Sequence, residues 1–403
     1  MKARTRLTLA LTLLSITAGA AAANAQDTRA DVIRQQQAER QQRVSPPQPN
    51  LAERTLDRLE KWGFISTPPR GAHPWFGSVY PGGGFAAGAG VRHEFGDDGA
   101  LNVIAGYSIR SSVLGQADLA LPTFAKGRGK LTLSGQYIDA PDVKYYGVGN
   151  ETSKESRSHF AYTPTNVGTR VDFDISKHFT LGGEVSYLDV STSAGRTAPS
   201  IEAEFEPADT PGFEFSQFSF INSTARAAFD WRKRLGYAGS GGVYRVQFDD
   251  YRDRDYDRYS FRSLEAEALQ LIPILRANWV IALRGVATIT DVDDANDVPY
   301  FLMPSIGGGA SVRGYPDFRF RDRNRLLMNA ELRWTPARFM DMLLFYDTGK
   351  VEARRQDLDF DDLKEAYGIG MRLIGPKGYA VRVEAAHSRE HRVRLILSAG
   401  GAF

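Results

Sequence analysis

The sequence predicts an all-β chain, a transmembrane antiparallel β-barrel of sixteen strands, and three observations carry that reading. Apolar and polar residues alternate with period two from about Trp75 to Phe403, with almost no helical pattern in between. Arg and Glu fall in mid-strand on the polar face, as a polar lumen requires, while Tyr and Trp gather at strand ends, as at a membrane interface. An export segment opens the chain. Alternation by itself also fits a soluble sandwich with its polar face outward; the other features select the barrel. Beyond residue 25 no run stays apolar for the roughly 18–20 residues that a membrane-crossing helix needs, which excludes a helical membrane protein.

The export segment is legible residue by residue. Lys2, Arg4 and Arg6 precede an apolar run over 7–16, and Ala23-Asn24-Ala25 stands before Gln26, the pattern of a cleaved secretory signal. Removing residues 1–25 takes away three positive charges and no negative ones, turning a net charge of +2 into −1. A near-neutral chain without a clustered basic face has no feature of a nucleic-acid partner. Residues 26–72 differ in composition from the rest of the chain. Gln, Arg and Ala dominate to Arg43, Ser45-Pro46-Pro47-Gln48-Pro49 interrupts, and 51–62 places Leu51, Leu56, Leu59 and Trp62 near one helical face. This segment is expected to be short, periplasmic and largely disordered, with a small docking helix as the alternative. The barrel is then 73–403.

Within the barrel the clearest strand is 325–334. Leu326, Met328, Ala330, Leu332 and Trp334 share one face; Arg325, Asn329, Glu331 and Arg333 share the other, with Leu327 the exception. Trp279, Ile281 and Leu283 alternate against Arg284, and Val381, Val383 and Ala385 against Arg382 and Glu384. At the end, Leu395, Leu397 and Phe403 form an apolar C-terminal face opposite Arg394 and Ser398. Fifteen runs can be placed, the first at 84–95, the fourth at 130–139 and the last at 391–402. A single-chain bacterial barrel has an even number, so a sixteenth strand is expected near 144–147 or inside a merged pair. The first legible strand is Gly-rich (Gly82, Gly83, Gly84, Gly88, Gly90), hence weakly fixed in register. Stretches 191–212 and 291–322 read as long extracellular loops and 374–379 as a short periplasmic turn.

One loop is distinctive. Gly307-Gly308-Gly309-Ala310-Ser311 runs into Val312-Arg313-Gly314-Tyr315, with Phe318, Phe320 and Asp322 before the strand that ends Glu331-Leu332-Arg333-Trp334. Phe345-Tyr346-Asp347-Thr348-Gly349, the stretch 367–372 and Tyr145-Tyr146-Gly147-Val148-Gly149-Asn150 accompany it. In these motifs, in this order, the chain resembles the BamA/TamA branch of the Omp85 superfamily of outer-membrane barrels, from about residue 75 to 403. The resemblance implies that the loop folds back into the lumen and that its arginine pairs with acids on the wall. Carried across, Arg313 is expected to meet Asp347, with Glu331 nearby; both acids have the inward parity of their strands. Gly307, Gly308, Gly309 and Gly314 would let the loop turn back tightly. The bland alternative is a surface loop with exposed charges.

No enzymatic chemistry is legible. The chain has no Cys, which removes thiol catalysis, disulfides and Cys-ligated zinc. Its six His are scattered, and His387 and His391 lie in a hairpin, not on a helix. The glycines at 82–84 and 307–309 lack the Gly-Lys-Ser/Thr of a phosphate loop, and no G-x-S-x-G occurs. A triad assembled across strands is spatial and stays open at this level; no catalytic, metal or cofactor residue is assigned. Members of the resembled family that insert proteins carry periplasmic POTRA modules, for which 26–72 is too short and too Pro-rich. The expectations are therefore an outer-membrane location in a Gram-negative cell, a lipid-bilayer environment, no cofactor, and insertion or translocation of unfolded outer-membrane proteins or transfer of lipids, with a separate periplasmic helper as a further partner. A passive pore and a structural or adhesive surface protein are the alternatives.

Overall fold

The computed structural model describes residues 70–399 apart from 236, 275–277, 338 and 376–377. Sixteen strands form one sheet in sequence order, each antiparallel to the next. They are β1 (Gly71–Gly77), β2 (Ala86–Phe95), β3 (Gly99–Ser108), β4 (Val113–Ala120), β5 (Gly129–Tyr145), β6 (Ser158–Asp174), β7 (Phe179–Ala194) and β8 (Gln217–Asp230). The second half comprises β9 (Gly241–Asp253), β10 (Phe261–Ile274), β11 (Trp279–Asp291), β12 (Asn324–Ala337), β13 (Met340–Glu352), β14 (Lys364–Gly375), β15 (Gly378–Ser388) and β16 (Arg394–Ala399). The sheet curls into a nearly closed barrel. Because successive strands reverse, the joins alternate between two ends. Short joins such as 96–98 and 175–178 lie at the turn end, and the connections 195–216, 254–260, 292–323 and 353–363 lie at the loop end.

Burial fixes which face is which. Leu344, Ile369 and Leu397 are 56, 61 and 77% exposed, whereas Asn329, Glu331 and Arg333 are buried. Apolar side chains therefore face outward, the inverse of a soluble sandwich and the arrangement that a lipid environment stabilises. Trp279 and Trp334, direct register partners near the turn end, stack at 5.6 Å on the outer face, as an interfacial girdle does. Leu327 faces inward because the inward loop needs an apolar partner there: it packs with Ile306, Val312, Tyr315 and Phe320.

The strand missing from the sequence reading is β1, which lies at the edge of the segment assigned to 26–72. Pro74 in a run of seven residues bounded by glycines argues against a central strand; it is tolerated because β1 is paired on one side only among the described residues. The glycines at 82–84 accordingly belong to the β1–β2 turn, not to the first strand. The stretch 144–147 holds no separate strand. Lys144 and Tyr145 close β5, which continues past Pro141 through a shift in pairing between Ala140 and Val143. Residues 191–194 belong to β7, so that loop is 195–216; it carries a short helix, Ile201–Glu204. The signal segment, Phe403 and residues 26–69 lie outside the described residues.

Candidate functional site at the inward loop and the strand seam

The connection between β11 and β12 does not stay at the loop end. Gly307 and Gly308 take positive φ (111° and 91°), a conformation that L side chains rarely adopt, and the chain reverses there. A Cβ on Gly307 would sit 2.1 Å from the Pro316 carbonyl oxygen. Val312 and Tyr315 then enter a buried apolar cluster with Val286, Leu327, Val351 and Ala366, and Tyr315 meets Phe320 edge to face.

Between those two anchors lies Arg313, 1% exposed. Its Nε and Nη2 donate to Asp347 Oδ2 and Oδ1, each at 2.7 Å, and its backbone N–H donates to Oδ2 at 3.1 Å. Its Nη1 donates to Glu331 at 2.7 Å and to Glu384 at 3.1 Å. The guanidinium lies 3.6 Å over the Phe345 ring. Burial disfavours its charge, but the hydrogen bonds and charge of Asp347, with Glu331 and Glu384 behind, hold it protonated more firmly than a free arginine. Arg333 and Arg372 share Glu331, and Arg372 and Arg382 share Glu384. Three carboxylates and four guanidinium groups thus form one network inside the barrel. Glycines on β14 make room for it: a Cβ on Gly368 would meet Phe345 at 2.4 Å, and one on Gly370 would meet Glu384 at 2.7 Å.

The loop backbone is gripped as closely as its arginine. Arg382 donates to the Gly309 carbonyl, Arg284 to Ala310, Asn329 to Ser311 and Ser388 to Gly314, at 2.7–3.0 Å. Arg394, the first residue of β16, donates to the carbonyls of Arg313 and Tyr315 at 2.9 and 2.6 Å and to Asp317 at 3.2 Å. Further along, Arg319 is held by Glu390 and Thr152 and lies over Phe320 and Tyr146. Gly149 N–H donates to the Arg321 carbonyl at 2.7 Å, and Arg321 donates to the Tyr300 carbonyl at 2.6 Å. The 145–150 motif is therefore part of the loop's seat.

The sequence-derived pair of Arg313 with Asp347, and Glu331 beside it, come together in one place. Glu384, Arg372, Arg333, Arg382, Ser388 and Arg394 join them, and the loop motif alone does not point to these six. Inward parity marks Arg333, Arg382 and Glu384 in the sequence, but only the register across β12 to β15 puts them in one cluster. Leu395 and Leu397 stand on the outer face of β16, on either side of Ile396, the register partner of Glu384.

The second feature is an interruption. Every strand from β2 to β15 pairs with two neighbours, but β1 pairs only with β2 and β16 only with β15; no β1–β16 pairing exists among the described residues. On the inner face β1 lays His73 over Gly90 and Trp75 over Gly106, where Cβ atoms would come within 2.5 and 2.4 Å of those rings. Among the described residues no three His, Asp or Glu side chains converge to hold a metal ion. In the acid-rich 253–257 turn the Asp253 carboxylate accepts the backbone N–H groups of Asp255, Tyr256, Arg258 and Tyr259 instead.

A family model described as the Omp85 superfamily domain matches residues 96–388. The fold is similar to BamA from Haemophilus ducreyi lacking POTRA domains 1–3, with a TM-score of 0.62 and 14% identity over 85% of this chain and 77% of that one. It is also similar to CdiB from Escherichia coli, with a TM-score of 0.56 and 12% identity over 82% of this chain and 63% of that one, less than two thirds of its length. None of the curated proteins matches this sequence. The matched span runs from just before β3 to the end of β15 and contains the 312–315 loop, Asp347 and Glu331: the chain belongs to the Omp85 superfamily of outer-membrane β-barrels.

Proposed function

We propose that this barrel inserts or translocates outer-membrane polypeptides at the gap between β1 and β16, with the inward loop serving as a fixed inner wall beside that gap. The observation that carries the reading is the combination of a first–last seam unpaired among the described residues with a loop tied to the β15–β16 hairpin by Ser388, Glu390 and Arg394. An unpaired edge presents backbone donors and acceptors to which an incoming strand can add. No covalent catalyst is needed for that step. The loop end is then extracellular and the turn end periplasmic, as in outer-membrane barrels generally. Passive conduction is less well supported, because the loop and its aromatic neighbours, Tyr145, Phe160 and Tyr300 among them, pack into buried clusters at the loop end.

The reading is tested with the purified mature protein in lipid vesicles, to which a urea-unfolded small barrel is added. Folding of the client is followed by protease protection and by heat-shifted gel mobility. Acceleration over empty vesicles supports insertion; an unchanged rate, with the protein itself folded, rejects autonomous insertase activity. A steady ion conductance that rises on Arg313→Ala, without any effect on the client, would favour the pore.

A further inference from the structure

At the loop end the gap between the first and last hairpins widens into a cavity of about 350 Å³. Residues 80–82 of the β1–β2 turn line it from one side, 393–395 from the other, and 316–318 of the inward loop also contribute. The charged side chains come from four separate elements. Arg110 belongs to the β3–β4 turn, Asp142 and Lys144 to the end of β5, Asp317 to the inward loop and Arg394 to β16. The pairing shift between Ala140 and Val143 explains the β5 contribution. Beyond it Val143 and Tyr145 join the buried aromatic cluster, so Asp142 and Lys144 fall on the cavity side.

Three cations face two carboxylates here, and their hydrogen bonds leave one cation over. Arg110 donates to the Gly82 carbonyl at 2.9 Å and so holds the β1–β2 turn. Arg394 is occupied by the loop carbonyls and Asp317. Asp142 accepts the Thr197 backbone N–H at 3.0 Å. Lys144 has neither a hydrogen bond nor an ion pair from its side chain among the described residues, although that side chain lines a partly enclosed space beside two arginines. Such a lysine is stabilised by an anion placed between it and its neighbours. Val393 and Leu395 at the cavity rim and Leu397 beyond them are 68, 78 and 77% exposed, Leu395 and Leu397 on the lipid side of β16, with no strand paired beyond them among the described residues.

We propose that this cavity binds the phosphate of an anionic lipid headgroup, with the acyl chains lying along Leu395 and Leu397. A free phosphate would satisfy Lys144 but make no use of the lipid-facing strip of β16 that runs beside the cavity. An anionic amphiphile satisfies both, and its head enters through the same gap that exposes the strip. The proposal requires only that the barrel lie in a bilayer; it does not depend on whether a client passes the seam.

Native mass spectrometry of the full chain, released from detergent with phosphatidylglycerol, phosphatidylcholine or inorganic phosphate, tests it. Phosphatidylglycerol is retained over phosphatidylcholine, and Lys144→Gln lowers that retention by about fivefold, the effect of one interfacial lysine charge. Lys144→Arg keeps the preference, as does Arg170→Gln, which removes a luminal charge elsewhere. Folding of each variant is checked by heat-shifted mobility; if Lys144→Gln does not fold, Arg110→Gln carries the same expectation. Equal retention of the two lipids, or a preference that survives Lys144→Gln, overturns the proposal. Inorganic phosphate bound in a Lys144-dependent way without any lipid preference overturns the lipid assignment. Displacement of the lipid by a peptide ending in a barrel strand and a free carboxylate does so as well.

Discussion

Arg313 and Asp347 are joined by two parallel N–H···O bonds of 2.7 Å, and both side chains are buried. The pair links a loop between β11 and β12 to the middle of β13, and Glu331 and Glu384 extend the contact to β12 and β15. A planar guanidinium suits this place because it serves three carboxylates and a ring face at once.

Arg313→Ala leaves those carboxylates with one cation fewer in a desolvated lumen. A loss of about 3–5 kcal/mol is expected, read as a lower temperature for the shift between folded and heat-denatured gel mobility. Arg313→Lys keeps the charge but not the fork and is expected to fall in between. An unchanged transition in Arg313→Ala would mean that Arg333, Arg372 and Arg382 satisfy the acids without it.

Gly314 approaches the wall more closely than any side chain permits. A Cβ there would stand 2.7 Å from those of Ala366 and Ser388 and 2.9 Å from the His387 carbonyl oxygen. Gly314→Ala is expected to cost about 1–3 kcal/mol and to expose 307–323 to protease. Adding Ala366→Gly relieves one of the contacts and should restore part of the protection.

Arg394 connects β16 to the loop without belonging to the buried charge network. Arg394→Ala should release the end strand while Asp347 still holds Arg313. Faster hydrogen exchange over 394–399 is expected, with the loop still protected, at a cost of about 1–3 kcal/mol for hydrogen bonds from a charged donor. Equal deprotection of the loop would place Arg394, and not Asp347, as its main anchor.

Much of this architecture could be read in the sequence because a membrane barrel writes its two faces into alternate residues. Asn329, Glu331 and Arg333 are inward for the same reason that Leu332 and Trp334 are outward, and the loop motif is local. What stayed hidden is non-local or locally atypical. Glu384 enters the Arg313 site only through the register of β14 with β15, which no local pattern specifies. Pro141 conceals the continuation of β5 because the interruption is absorbed by a change in pairing. Pro74 conceals β1 because a proline weighs against a strand except at an edge, a strand start or a bulge, and the edge that accommodates it is the feature on which the proposed function turns.

The most direct test of that function uses the edge itself. The chain has no cysteine, so a pair introduced by Ala72→Cys on β1 and Leu397→Cys on β16 can be joined by a cleavable bifunctional maleimide without competing thiols. The joined protein is expected to stay folded, to stop accelerating client insertion and to regain activity when the linker is cut. Full activity in the joined state would contradict passage through the β1–β16 seam.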